Sequence, residues 1–507
     1  MSEENVPPVF WQRMAIRVSQ MISEMDVHAP KFVRGMSVAP WAVRFLSDIP
    51  GTLTNMAQEK GFDSVIGFAP GRRKFIVALG PENNKNVLGD KERFRTTGYM
   101  FRGPRGSAMS RIRDGLLHSR GKRHTKVRGL LRPVFAAKSQ RAHLEQFVSV
   151  TEECTNNWQQ GGTINLWDEM CLLARRFSGR ILIGKESDES LDQLSSKIEE
   201  INRFTFSKKT WAIPFNVPGT QYRRMLMAAE NVESILLDMI SRRRGTTTDE
   251  HFDVLSAMVD ARFEDGEALT DAQLVGQIMF FYAASFETVA TVLTWTNILI
   301  AQFPEIARDV VDEIESVCRG GAPTFEQVSE LKLLDRVLRE SMRLLPPIPA
   351  LARQATCDCE ISGMPVVKHD RVLVSPFVTH RHPDVWKDPL KFDPSRWEKR
   401  QPSSWEWLPF SAGARYCVAT NYSMTLMKVT LSLMLQRYRL EIARPATIDR
   451  STIIIMRPRQ DVIMKVRSTG DRFSATEVSG KLSEMVKINA GISRPLQSPV
   501  SPMRKAS

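Results

Sequence analysis

The stretch PFSAGARYCVAT, Pro409 to Thr420, decides how the rest of the chain is read. It sets one cysteine, Cys417, behind a loop containing Gly413 and Arg415 and ahead of a helical pattern, Asn421 to Tyr438. A helix N-terminus carries partial positive charge, and loop N–H groups aimed at sulfur favour the thiolate. Gly413 has no side chain to hold the loop away from a flat ligand.

Working outward, three more segments carry chemistry. In LRESMRLLPPIP, Glu340 and Arg343 lie at i, i+3 on one helix face, which by itself is an ion pair worth about a few tenths of a kcal/mol. In AASFETVA, Ala283 to Ala290, an acid and an alcohol, Glu287 and Thr288, stand side by side in an apolar helix. The plain reading has Thr288 bonding back to a carbonyl one turn earlier, yet burying both groups is costly without a purpose. In GKRHTKVRGLLRPVF, His124 and Arg128 share one helix face at i, i+4, and Val127, Leu130, Leu131 and Val134 give that helix a buried side.

Together these segments resemble the cytochromes P-450. Phe410, Gly413, Arg415 and Cys417 match the family signature Phe-x-x-Gly-x-Arg-x-Cys-x-Gly, with Ala419 in place of the last glycine. Glu340 and Arg343 are similar to its Glu-x-x-Arg helix, with Arg396 of FDPSRW completing a structural cluster, and AASFETVA is similar to its distal helix. His124 and Arg128 match its Trp/His-x-x-x-Arg helix, and Arg353 and Arg415 are similarly placed donors.

The resemblance covers roughly residues 45 to 467 and implies a mainly α fold with small β-sheets, one large domain enclosing haem b. It makes Cys417 the axial iron ligand, and His124, Arg128, Arg353, Phe410, Gly413 and Arg415 further cofactor contacts, the basic ones through charge-assisted bonds to propionates. It implies insertion of one atom of O2 into a lipophilic small molecule, with Thr288 and Glu287 delivering protons at the oxygen site. A peroxide-driven peroxygenase and a non-catalytic haem-thiolate ligand-binding protein are the alternatives. Two departures bear on this: Ser285 stands where the family commonly has glycine, narrowing the pocket or adding a hydroxyl, and Val289 where a second threonine is frequent. Phe280, Phe281, Ala284 and Ile348 are expected to line the substrate pocket.

Charge is uneven. Of the net +13, the stretch Arg102 to Arg141 carries +11, twelve Lys or Arg against Asp114 alone. Something acidic should meet it. The resemblance places this helix at the face nearest the thiolate, so Arg120, Lys122, Arg123 and Lys126 are expected to steer an acidic ferredoxin or flavodoxin-type donor served by an NAD(P)H reductase. A solvated charge run is the plain alternative for each of them. No zinc, aromatic or RNP-type motif supports nucleic-acid binding.

With 42% hydrophobic and 25% charged residues the chain excludes collagen-like, disulfide-dense and wholly disordered classes. Six cysteines follow no repeated pair spacing, and MSEENVPPVF opens on acids, so neither a disulfide framework nor a secretory signal is indicated. Cys357 and Cys359 read as a β-hairpin edge and His380 and His382 as structural. Ile278 to Phe303 is long enough to span a bilayer, but Glu287 near its centre favours a core helix.

Residues 9–27 pattern as an amphipathic helix within an N-terminal segment 1–44, with at most peripheral membrane contact. Strands are expected at Ser64–Phe68 and Lys74–Leu79 around a Pro70-Gly71 turn, then at Cys359–Ile361, Arg371–Val374, Ile453–Ile455 and Val462–Val466. Residues 468–507, rich in Ser and Pro, are expected to be a disordered tail too small for a reductase domain. A cytoplasmic monomer is the overall expectation.

Overall fold

The structure, a computed structural model, describes Phe45 and residues 48–488 apart from 69–73, 98–102, 185–187, 206, 208, 211–212, 245–252, 264–265 and 453. The N-terminal amphipathic segment, the Pro70-Gly71 turn and residues 489–507 lie outside the described residues.

Eleven longer helices supply the frame: α1 (Ile49–Lys60), α2 (Pro81–Gly89), α3 (Gly121–Leu131), α4 (Leu144–Thr155), α5 (Leu166–Leu182), α6 (Asp188–Thr205), α7 (Gln221–Arg244), α8 (Asp271–Gln302), α9 (Pro304–Cys318), α10 (Lys332–Leu344) and α11 (Thr420–Arg437). At the centre runs α8, started by a reciprocal capping box between Thr270 and Gln273. Its flanks are apolar almost all round, as a core helix requires, and it packs along α5. Among the described residues it is the one helix long and apolar enough to cross a membrane, and most of it is buried inside the fold.

The strands are β1 (Val65–Phe68), β2 (Phe75–Ala78), β3 (Phe94–Thr96), β4 (Thr163–Asn165), β5 (Leu351–Ala355), β6 (Cys359–Ile361), β7 (Met364–Val366), β8 (Arg371–Val374), β9 (Arg439–Ile442), β10 (Ala446–Thr447), β11 (Arg450–Thr452), β12 (Met456–Pro458), β13 (Ile463–Arg467) and β14 (Val478–Ser479). The largest sheet has the order β1-β2-β8-β5-β3, antiparallel except for the β2/β8 pair. It contains the expected hairpin and carries Arg353 on β5.

Two expectations are corrected. Ile454 and Ile455 form the bend between β11 and β12, which pair Thr452 with Met456, so these two isoleucines lie at a hairpin tip and not in a strand. A short apolar run cannot by itself distinguish the two. The chain past residue 467 is not all tail: β14 pairs in parallel with β10, and a helix at Lys481–Met485 buries Leu482, Met485 and Val486. The buried Arg381 guanidinium donates to Met485 O at 2.9 Å and to Leu344 O at 2.6 Å, tying this segment to the end of α10. Ser and Gly around a helix this short hide its apolar spacing.

Candidate functional site

The loop before α11 is shaped by its own backbone. Cys417 N–H donates to Phe410 O at 2.9 Å, Tyr416 N–H to Gly413 O at 3.0 Å and Ser411 N–H to Leu408 O at 3.0 Å. Gly413 sits at φ +65°, and a Cβ there would fall 2.4 Å from the carbonyl oxygen of Leu88. Glycine is therefore demanded by the close approach of α2, a reason that differs from contact with a flat ligand. Ala419, at φ −100° and ψ 19°, caps α11 without needing glycine's freedom. Phe410 is half-buried, with its ring 6.0 Å from that of Trp407.

Burial pushes the Cys417 thiol up, while the Ala419 N–H, the Thr420 hydroxyl and the charge of Arg128 pull it down. A thiolate at this place is held by three donors or charges and needs a cation to repay its desolvation. Thr420 also donates to Cys417 O at 3.0 Å, a contribution to the loop that the signature does not name.

Above the loop four basic groups converge. Arg415 donates to the carbonyls of Leu116 at 3.0 Å and Ser119 at 2.7 Å, and burial with the charges of Arg353, Arg120 and Arg128 pulls it down to about 10. His124, on the buried face of α3, is pushed down to about 4 by burial and then by Arg415, Arg128 and Lys91. Arg128 is half-buried, and Arg353 is buried and donates to Ala352 O at 3.0 Å. Cations that depress one another inside a protein call for an anion among them. A planar iron porphyrin with two propionates supplies that anion together with a metal for the sulfur, so the residues present fit haem.

The Glu340 cluster lies next to this loop. Glu340 and Arg343 are both fully buried and joined by two bonds of 2.8 and 2.9 Å; Arg396 Nε reaches Glu340 at 2.8 Å, and Trp397 Nε1 does so at 3.1 Å. Arg343 donates in addition to the carbonyls of His380, Pro389 and Lys391. His380 extends the network: Leu408 N–H donates to its Nε2 at 2.8 Å, which leaves Nδ1–H to donate to Arg343 O at 3.0 Å. The cluster thus fixes the residue that enters the cysteine loop. His382 meets Asp63 at 2.9 Å.

On α8, Ala284 is exposed and Thr288 half-buried although most of the helix is buried, so this turn is left open. The Thr288 hydroxyl donates to Ala284 O at 2.7 Å. Burial raises the Glu287 carboxyl, Arg457 opposing and Glu199 reinforcing the rise. Ser285 neither narrows the pocket nor adds a hydroxyl to it: its Oγ lies 2.8 Å from Ser178 Oγ of α5 and donates to Tyr282 O at 3.2 Å. Phe281 is in the core against Phe135 at 5.8 Å, whereas Phe280 and Ile348 are half-buried.

The basic stretch divides. Arg111 pairs with Glu233, Arg123 with Asp114 at 2.9 Å and Arg141 with Glu326 at 2.5 Å. Lys126 is exposed at its end while its ammonium stands 5.3 Å over the Phe263 ring. Arg120 and Lys122 are exposed, and Arg123 is half-buried. The residues proposed for docking therefore do share one short surface segment, the start of α3.

The sequence model of the family described as Cytochrome P450 matches residues 39–466, and the chain belongs to that family. It is 29% identical over 310 residues to lanosterol 14-alpha demethylase of Homo sapiens, covering 59% of this chain and 61% of that one, so the match spans about three fifths of that relative's length. It is 28% identical over 377 residues to cyclooctat-9-en-7-ol 5-monooxygenase of Streptomyces melanosporofaciens, covering 73% and 81% of the two chains. The fold superposes with a TM-score of 0.74 on the cytochrome P450DA heme domain, at 23% identity over 85% of this chain and 96% of that one. With retinoic acid bound cyanobacterial CYP120A1 the TM-score is 0.70, at 19% identity over 82% and 93%.

Proposed function

We propose that the chain is a haem-thiolate monooxygenase that inserts one atom of O2 into a lipophilic small molecule, with electrons from a separate ferredoxin or flavodoxin-type protein. The observation that carries the reading is Cys417, with the donors on its sulfur and the charge of Arg128 near it, in one neighbourhood with Arg353, Arg415 and neutral His124. Cys417 would hold the iron of haem b, and Arg128, Arg353, Arg415 and neutral His124 its propionates. The bound haem would supply reductive activation of O2, with thiolate donation favouring O–O cleavage.

The chain's own groups do the rest. Thr288, while donating to Ala284 O, presents its oxygen lone pairs to the open turn of α8 and positions a proton donor there. Glu287, raised by burial, holds a proton closer to neutral pH than a surface carboxylate and hands it on. Ser285, tied to Ser178 of α5, supports turnover over a non-catalytic ligand binder. A terpenoid or sterol-sized lipophile fits the kinds of molecule named for the relatives, and a cytoplasmic monomer is part of the proposal.

The experiment is turnover under ¹⁸O2 with a ferredoxin-type donor and a lipophile panel: one labelled oxygen atom appears in product. Thr288→Val should lower product formation about 100-fold while donor oxidation continues as peroxide leakage. Product formed only when peroxide is supplied would favour the peroxygenase reading instead.

Arg120, Lys122, Arg123 and Lys126 provide the docking charge in this proposal. Lys122→Glu with Lys126→Glu should slow reduction by the acidic donor about tenfold at low salt and flatten its salt dependence. An unchanged rate at low salt would reject docking at this face.

A further inference from the structure

Five residues past Cys417, in the first turn of α11, the Tyr422 hydroxyl lies 2.7 Å from Nδ1 of His143, the residue that leads into α4. Tyr422 is 4% exposed and His143 1%. A buried phenol needs one hydrogen-bond partner, and a main-chain carbonyl would satisfy it. Here the partner is a base. At this distance a proton can cross from Oη to Nδ1 with no movement of either ring.

The surroundings bear on what that pair can do. The Tyr422 ring meets Phe135 edge-on at 5.6 Å and Phe147 at 5.3 Å, and Phe135 in turn stands 5.8 Å from Phe281 of α8. Tyr422 therefore belongs to an aromatic column joining the helix that follows the cysteine ligand to the helix that carries Ala284 and Thr288. Burial pushes its phenol well above 10, so simple proton loss is disfavoured. A phenol that loses an electron becomes a strong acid, and a neutral imidazole beside it takes the proton at once.

We propose that Tyr422 and His143 are a proton-coupled redox pair that drains oxidising power from the haem when no substrate consumes it. With the haem oxidised by a peroxide, Tyr422 gives it one electron and passes its hydroxyl proton to His143 Nδ1. The products are a neutral phenoxyl radical, an imidazolium and a haem reduced by one electron. An electron from the donor protein then restores the phenol as the proton returns. The inference rests on the haem-thiolate reading.

The test mixes the haem-loaded protein with hydrogen peroxide, freezes it within milliseconds and records electron paramagnetic resonance. Wild type should show a tyrosyl radical, and Tyr422→Phe should lose it while keeping the thiolate-type carbon monoxide spectrum. His143→Gln supplies a hydrogen-bond acceptor but no base, so it too should lose the radical if the pair moves a proton, and would leave it intact if His143 were only a packing partner. Both variants should bleach their haem at fewer equivalents of peroxide than wild type. Absence of a radical in wild type, or a radical of undiminished yield in Tyr422→Phe or His143→Gln, would overturn the proposal. Failure of the haem reading would show separately, as loss of the thiolate-type spectrum in wild type.

Discussion

Arg343→Met is expected to destabilise the protein by about 3–5 kcal/mol, a large share of the stability of an ordinary domain. Arg343 answers one buried carboxylate and three carbonyls at once, from His380, Pro389 and Lys391. Methionine fills a similar volume but leaves Glu340 buried, with Arg396, Trp397 Nε1 and the Asp393 N–H as its remaining partners. The penalty combines a buried carboxylate left with Arg396 as its one cationic partner and three carbonyls that lose their donor, so Glu340→Gln added to Arg343→Met should recover part of it. Urea unfolding of the two variants beside wild type checks this. A single variant as stable as wild type would show that the cluster is not what holds α10 to the cysteine loop.

Cys417→Ser is expected to bring oxidation of substrate down to the level of free haem while leaving the fold within about 1 kcal/mol of wild type. The contrast follows from geometry: the loop is held by the main chain of Cys417, through its N–H to Phe410 O and its carbonyl from Thr420, and a serine keeps both. What serine lacks is a polarisable anion at neutral pH, so it is a poor iron ligand. Haem retention on a desalting column, measured beside urea unfolding of the apoprotein, separates the two effects. A serine variant that unfolds as readily as Arg343→Met would give the sulfur a packing role the structure does not show.

The cysteine loop and the Glu340 cluster were legible from sequence because each is a local spacing on a helix or a tight loop. Arg396 joins the latter from more than fifty residues away, and only the family's pattern could supply it. The tertiary reasons were hidden. Gly413 is required by the Leu88 carbonyl, brought there by α2, and no spacing in PFSAGARYCVAT contains that. Ser285 looked like an intruder in the pocket, but its hydroxyl turns to Ser178, a partner on another helix. Ile453–Ile455 resembled a strand because β-branched residues favour strands and carry none of the usual turn chemistry, and the helix at Lys481–Met485 was concealed because only two of its five residues, Leu482 and Met485, are apolar. Charge was legible as a total, not as an assignment: Arg111 and Arg141 are committed to Glu233 and Glu326.

The most direct measurement on the central claim is the absorption spectrum of the purified, haem-loaded protein after reduction and exposure to carbon monoxide. A Soret band strongly red-shifted from that of imidazole-ligated haem, lost in Cys417→Ser, is the predicted result. A band at the imidazole-ligated position in wild type, or a chain that stays colourless after haem is supplied, would contradict it.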